Sequence, residues 1–141
     1  MIKTYSREET IELGSKLGGV LESGAVCALR GGLGAGKTTL VQGIALGLGI
    51  EEIVTSPSFT IIAEYAGKHT LYHMDLYRIS GEEEFEALGA EEFFYGEGIV
   101  VIEWSERIEA VLPPHRISVS IRITGPQERA FSIEGLQGFE V

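Results

Sequence analysis

Residues 25–40 read AVCALRGGLGAGKTTL, an apolar run followed by a glycine-rich loop that ends in Lys37 and Thr38. The apolar run, residues 25–29, has the unbroken hydrophobicity of a strand that is buried on both faces of a sheet. The loop matches the pattern Gly-x-x-x-x-Gly-Lys-Thr in full, from Gly31 to Thr38. A helical pattern covers residues 37–48, and Gly49 is placed to end the helix. A strand, a loop and a helix in this order predict a phosphate-binding loop.

The residue types in this loop suit a triphosphate and magnesium. Glycines at Gly31, Gly34 and Gly36 allow backbone N–H groups to approach phosphate oxygens without a Cβ in the way. The helix adds the positive end of its dipole. Lys37 can place a compact charge between the β- and γ-phosphates, and the Thr38 hydroxyl can coordinate magnesium. The motif therefore predicts a nucleoside triphosphate bound with Mg²⁺.

The composition is that of a small globular protein. The 141 residues are 44% hydrophobic and 23% charged, which suits a single domain over residues 1–141. No apolar run approaches the roughly 20 residues that span a bilayer. Residues 1–5 lack the apolar core of a signal peptide, and the single cysteine, Cys27, cannot form an internal disulfide. We therefore expect a cytoplasmic protein that makes no contact with a membrane.

The charge balance is acidic, with 21 Asp and Glu against 11 Lys and Arg, which gives a net charge of −10. A surface that grips a nucleic-acid backbone needs clustered Lys and Arg, and the sequence has no such cluster. Direct and tight binding of nucleic acid is therefore disfavoured. The negative surface either docks on a basic protein partner or only keeps the chain in solution.

Periodicity and turn residues outline the other elements, and Ser6 with Glu9 fits a capping box before the first helix. The predicted helices cover residues 7–22, 37–48, 82–88 and 105–112. The predicted strands cover residues 25–29, 59–65, 70–77, 99–102, 117–123 and 130–133, with a further option at 139–141. Together they predict an α/β fold: a single domain of the P-loop NTPase type, with a mixed central β-sheet flanked by helices.

Two carboxylates are candidates for the rest of the site. The apolar run 99–102 ends in Glu103, where a strand would present a magnesium-binding carboxylate beside the phosphate loop. Asp75 is the only aspartate in the chain, and strand alternation places it on one face with His73 and Tyr77. Asp75 could orient water or complete the metal shell, or it could form a structural salt bridge with Arg78 or another basic residue. A lone His73 is more typical of a structural, hydrogen-bonded residue.

Two further features have less specific signals. Residues 55–60 read TSPSFT, which is either a loop that senses the γ-phosphate or a plain turn, and the residues alone favour the turn. Trp104 follows Glu103 and could stack on a nucleotide or a partner, or be half-buried at the end of a strand.

These motifs together resemble the TsaE (YjeE) family of ATPases. The phosphate loop, residues 55–60, residues 73–78 (HMDLYR) and residues 102–104 (IEW) occur in the family's order and spacing. The resemblance covers about residues 1–112, and the final strands match only in general character. Ser58 stands where many relatives have Thr, so the hydroxyl is retained.

The resemblance implies ATP hydrolysis that supports threonylcarbamoyladenosine formation at adenosine 37 of tRNA. The expected partner is the TsaB–TsaD heterodimer, with tRNA contacted only through that complex. The implied catalytic residues are Lys37, Asp75 and Glu103, and the implied magnesium ligands are Thr38 and Glu103. The implied nucleotide-contacting residues are Gly34, Ala35, Gly36, Lys37, Thr38, Thr39 and Trp104. Residues 55–60 would be a switch-like loop.

The main alternative is a small-molecule kinase that uses the same loop. Such kinases close an Arg-rich lid over the phosphates, whereas the arginines after residue 77 are scattered along the chain. A GTPase is disfavoured because its Asn-Lys-x-Asp signature needs asparagine, which this sequence lacks. A binding module with little turnover is a third class, and it differs little from a coupling ATPase that is slow alone.

Overall fold

The computed structural model describes residues 1–57, 59–136 and 138–139 of the chain. Its seven strands form one sheet: β1 (Ile2–Thr4), β2 (Val26–Arg30), β3 (Ile62–Tyr65), β4 (Leu71–Asp75), β5 (Ile99–Glu103), β6 (Ile117–Ile123) and β7 (Arg129–Glu134). The α-helices are α1 (Arg7–Val20), α2 (Lys37–Gly47) and α3 (Glu82–Ala87). Two 3-10 helices cover Ala90–Tyr95 and Ser105–Val111.

The sheet is mixed, with the strand order β1-β7-β6-β2-β5-β4-β3. The four central strands, β6, β2, β5 and β4, run parallel, and the outer pairs are antiparallel. Every residue of β5 is buried, as expected of a parallel strand covered on both faces. The carboxyl ends of β2, β4 and β5 therefore meet at one edge of the sheet, and this edge carries the candidate site.

Each face of the sheet has its own apolar core. On one face, α1 and α2 pack against side chains such as Leu29, Leu71 and Val101. On the other face, α3 and the two 3-10 helices cover the alternate residues of the same strands, among them Met74 and Ile102. The expected α/β fold, with a mixed sheet between helical layers, is confirmed.

Helices α1 and α2 approach each other closely because glycines face one another. A Cβ built on Gly43 would lie 2.3 Å from the Ile11 carbonyl oxygen and 2.9 Å from the Gly14 Cα. A Cβ on Gly47 would lie 2.3 Å from the Ser15 carbonyl oxygen. Since α2 begins at Lys37, this packing sets the position of the phosphate loop relative to α1.

The predicted elements are present with shifted ends. The α1 cap is confirmed, because Glu9 N–H donates to Ser6 Oγ at 3.1 Å, although Glu9 Oε1 accepts from Tyr5 N–H at 2.8 Å and not from Ser6. The strand predicted at 59–65 begins only at Ile62, because Ile61 has a φ of 69° that interrupts extended structure. The optional strand at 139–141 extends beyond the described residues.

Two expectations about local structure need correction. The segment predicted as a helix over 105–112 is the 3-10 helix Ser105–Val111, and Ile108 has non-helical angles, φ −130° and ψ 31°, inside it. The edge strand β1 and the 3-10 helix Ala90–Tyr95 are absent from the sequence-based assignment, since both are too short for a clear period.

None of the helices in the described part of the chain combines the length and hydropathy that crossing a bilayer requires.

Candidate functional site

The glycine-rich pattern forms the turn between β2 and α2, as the sequence predicts. Gly34 and Gly36 have φ angles of 77° and 105°, in the left-handed region that glycine adopts without strain. Residues 33–39 line a cleft of about 410 Å³ at the carboxyl edge of the sheet. The N-terminus of α2 opens into this cleft, so its N–H groups and dipole are available to a phosphate group.

Lys37 is the first residue of α2, and only 4% of its surface is exposed. Its ammonium group donates hydrogen bonds to the carbonyl oxygens of Gly31 and Gly32, at 2.5 and 2.9 Å. Burial lowers the pKa of Lys37, and the negative charges of Glu103, Glu106 and Asp75 oppose that shift. The group is thus a cation held under the loop by carbonyl dipoles and nearby carboxylates.

Glu103 ends β5 and contacts the phosphate loop directly. Thr38 Oγ1 donates to both carboxylate oxygens of Glu103, at 2.9 and 3.0 Å. Glu103 is 3% exposed, and its carboxylate also contacts Nε2 of the buried His73 at 2.6 Å. A buried carboxylate needs such partners, because removing the charge from water is costly without them. The two proposed magnesium ligands are therefore in contact at the cleft.

Asp75 ends β4 at the position paired with Glu103 in the parallel register. One carboxylate oxygen accepts a short hydrogen bond from the Ser56 hydroxyl, and the other accepts from Tyr77 N–H at 3.0 Å. The guanidinium of Arg78 instead lies over the Phe59 ring, with Cζ 4.8 Å from its centroid. Asp75 thus faces the cleft with hydrogen bonds in place of the salt bridge considered from the sequence.

Trp104 follows Glu103 and lines the cleft beside the phosphate loop. Lys37 Nζ lies 4.0 Å from its ring centroid, and the Tyr77 ring packs 5.1 Å away. Arg107 lies on the same cluster, with Cζ 5.5 Å from the Trp104 centroid. The φ of Trp104 is 60°, a left-handed conformation that is uncommon outside glycine. A strained residue fixed by aromatic and cationic neighbours is typical of functional sites.

Residues 55–60, the hydroxyl-rich loop, reach the site through Ser56. This residue lines the cleft and donates to Asp75, whereas Phe59 is 84% exposed at the surface. Ser58, which stands where many relatives have Thr, lies outside the described residues. Ser56 therefore connects this loop to the candidate site, and a switch role for the loop stays a prediction.

Arg129 is a residue of the site that the sequence analysis does not single out. Its Nε donates to the Ala35 carbonyl at 3.0 Å, so β7 supports the phosphate loop from the side. A second cleft of about 350 Å³ adjoins it, lined by the start of α1, Gly34, Gly36, Thr39 and residues 126–127. Arg129 is 94 residues from Ala35 along the chain, and only the strand order brings them together.

The oxygen atoms at this site fit a magnesium ion that is also held by a nucleotide. Among the described residues, no group of three or more His, Cys, Asp and Glu side chains could hold a metal by itself. Magnesium at phosphates typically takes one or two protein oxygens and completes its shell with phosphate oxygens and water. The Thr38 hydroxyl and the Glu103 carboxylate, in contact at the mouth of the phosphate loop, meet that requirement.

Comparison with known proteins identifies the same family across most of the chain. Residues 4–131 match the family model described as threonylcarbamoyl adenosine biosynthesis protein TsaE. A protein of Treponema pallidum named tRNA threonylcarbamoyladenosine biosynthesis protein TsaE is 46% identical over 128 residues, covering 91% of this chain and 95% of that protein. A Bacillus subtilis protein of the same name is also 46% identical over 128 residues, covering 90% of this chain and 80% of that protein.

The fold agrees with a solved structure as well. The crystal structure of YdiB from Bacillus subtilis superposes with a TM-score of 0.80 and 41% sequence identity. The superposition covers 92% of this chain and 80% of that one. The likeness therefore extends over most of the chain and not only over the phosphate loop.

Proposed function

The chain belongs to the TsaE family, and from that premise we propose that it binds and hydrolyses ATP in support of threonylcarbamoyladenosine formation on tRNA. It acts as a single P-loop ATPase domain, residues 1–141, in the cytoplasm. The partner is a TsaB–TsaD complex, which contacts adenosine 37 of the tRNA. The observation that carries the proposal is the contact between Thr38 and Glu103 at the phosphate loop, with Asp75 on the neighbouring strand.

The residues divide the work of binding a triphosphate. Backbone N–H groups of Gly34, Ala35 and Gly36 surround the phosphates, and Lys37 neutralises their charge. Thr38 and Glu103 hold Mg²⁺, which supplies charge neutralisation on the transferred phosphoryl group. Thr39 and Trp104 complete the nucleotide-contacting set, as the family resemblance implies. We assign the adenine to the cleft between the start of α1 and Arg129, because this cleft adjoins the phosphate loop at Gly34, Gly36 and Thr39.

Asp75 is suited to hold the attacking water. One of its carboxylate oxygens accepts a hydrogen bond from the Ser56 hydroxyl, and the other accepts one from Tyr77 N–H. A carboxylate has about four acceptor sites in total, so both oxygens can still accept from a water molecule. A position of that water at the phosphate end of the cleft is supported by the pairing of Asp75 with Glu103 in the register.

The acidic composition supports action through a protein complex. With a net charge of −10, the chain is repelled by tRNA phosphates, whereas a basic patch on a partner would attract it. The chain therefore reaches the tRNA only through its partner.

The test is phosphate release from ATP by the chain alone, with candidate small-molecule acceptors, and with the TsaB–TsaD pair. The proposal predicts slow release alone and stimulation by the protein pair. Lys37→Ala serves as the negative control, because loss of the lysine charge should remove turnover for the ATPase and the kinase alike. A phosphorylated small acceptor would instead establish the kinase alternative and refute the proposal.

A further inference from the structure

His73 lies in the middle of β4 and is fully buried, yet it reaches the carboxylate that Thr38 also contacts. Its Nε2 lies 2.6 Å from Glu103 Oε2, across the parallel pair of β4 and β5. An ionised carboxylate only accepts hydrogen bonds, so the imidazole donates from Nε2. The distance is at the short end of charge-assisted hydrogen bonds.

The surroundings of His73 offer its ring little else. Its partners on the adjacent strands are Ala63 on β3 and Val101 on β5, both apolar. The second ring nitrogen, Nδ1, is buried and has no hydrogen-bond partner among the described residues. Burying a polar ring costs free energy that its hydrogen bonds must offset. A histidine present only for packing would be replaceable there by a leucine, which has no polar atom to satisfy.

We propose that His73 is a positioning residue that orients Glu103 for magnesium. The inference rests on the proposed function, which makes Glu103 a magnesium ligand. The Nε2–H group of His73 donates to Oε2 of Glu103 from β4, while Thr38 contacts the same carboxylate from the phosphate loop. With both contacts in place the carboxylate is held with its remaining acceptor sites toward the cleft. Groups that orient metal ligands in this way change metal affinity by about 10- to 100-fold.

Two amide substitutions separate the two ring nitrogens. In His73→Gln the amide nitrogen can occupy the place of Nε2 and donate to Glu103. In His73→Asn the shorter side chain places its amide near Nδ1, where the structure provides no partner. Both variants are neutral amides, so they differ in reach and not in charge.

The measurement is the dissociation constant of ATP by calorimetry, once in excess EDTA and once with saturating MgCl₂. Emission of Trp104, the single tryptophan, provides an independent binding signal. The constant in EDTA divided by the constant in MgCl₂ is the ratio that reports how strongly magnesium strengthens nucleotide binding. We expect wild type and His73→Gln to agree within about threefold, while the ratio in His73→Asn falls by about 10- to 100-fold. The constant in EDTA should be the same in all three proteins.

A ratio in His73→Asn equal to that of wild type would overturn the inference, as would an equal loss of affinity with and without magnesium. If His73→Asn does not fold, His73→Leu takes its place with the same expected loss of magnesium dependence. Failure of both to fold, with His73→Gln unchanged, would assign His73 a purely structural role and also overturn it. A wild-type ratio near one is a different result, because it refutes the magnesium site of the proposed function itself.

Discussion

Replacing Gly43 by alanine should destabilise the protein although alanine is the better helix former. The new Cβ would lie 2.3 Å from the Ile11 carbonyl oxygen, whereas ordinary contact begins at 3.4 Å, a shortfall of 1.1 Å. The obstacle is backbone of α1, so no side chain can rotate away and the two helices must separate. Overpacking of this kind costs about 1–3 kcal/mol, and a backbone clash belongs at the upper end. Helix propensity returns about 1 kcal/mol, which leaves a net loss of about 2 kcal/mol.

Gly19 provides the matched control in the same helix pair. It lies within α1 and is exposed, and a Cβ there would meet nothing within 4 Å. Gly19→Ala should therefore raise the free energy of unfolding by about 0.5–1 kcal/mol. Urea unfolding followed by circular dichroism measures both changes. Since α2 carries Lys37 and Thr38, only Gly43→Ala should also weaken ATP binding. Equal stability changes of the same sign in the two variants would refute the packing argument.

Three further predictions concern the site. Burial lowers the pKa of Lys37 while a bound triphosphate favours its ammonium form, so at alkaline pH ATP binding should take up protons and weaken as pH rises. Calorimetry in buffers of different ionisation enthalpy measures that uptake, which should vanish in Lys37→Arg. Arg129→Met removes the donor to the Ala35 carbonyl and should weaken ATP binding about 5- to 10-fold, whereas Arg122→Met, on the exposed end of β6, should not. Asp75→Asn should lower the rate of phosphate release about 100-fold while the dissociation constant of ATP changes less than about twofold; a large loss of affinity would contradict its role toward water.

The phosphate loop and the two carboxylates are predictable from sequence because each depends on a local pattern. The loop needs only a glycine-rich turn between an apolar strand and a helix. Glu103 ends the unbroken apolar run of β5. Asp75 lies on the polar side of β4, in which polar and apolar residues alternate. Because β4 and β5 run parallel, their carboxyl ends, with Asp75 and Glu103, lie at the same edge of the sheet.

Other parts of the site depend on which strands are neighbours, and a single sequence does not contain that order. Arg129 supports the phosphate loop because β7 lies beside β6, which in turn lies beside β2. The contact of His73 with Glu103 follows from the pairing of β4 with β5, and an isolated histidine in a strand gives no sign of it. The segment Ser105–Val111 begins at the predicted residue, but its 3-10 form and the non-helical angles of Ile108 escape prediction, because periodicity does not report them.

The pairing of Asp75 with Glu103 explains why the two carboxylates have different neighbours. Both end parallel strands at the same level of the sheet, so their backbones start from equivalent positions. Glutamate is longer by one methylene, and its carboxylate spans the distance to Thr38 on the phosphate loop. Aspartate is shorter and more closely tied to its own backbone, so Asp75 binds Tyr77 N–H two residues on and the hydroxyl of Ser56. Side-chain length therefore explains why, at one edge of the sheet, Glu103 is directed at the phosphate loop and Asp75 at the hydroxyl-rich loop.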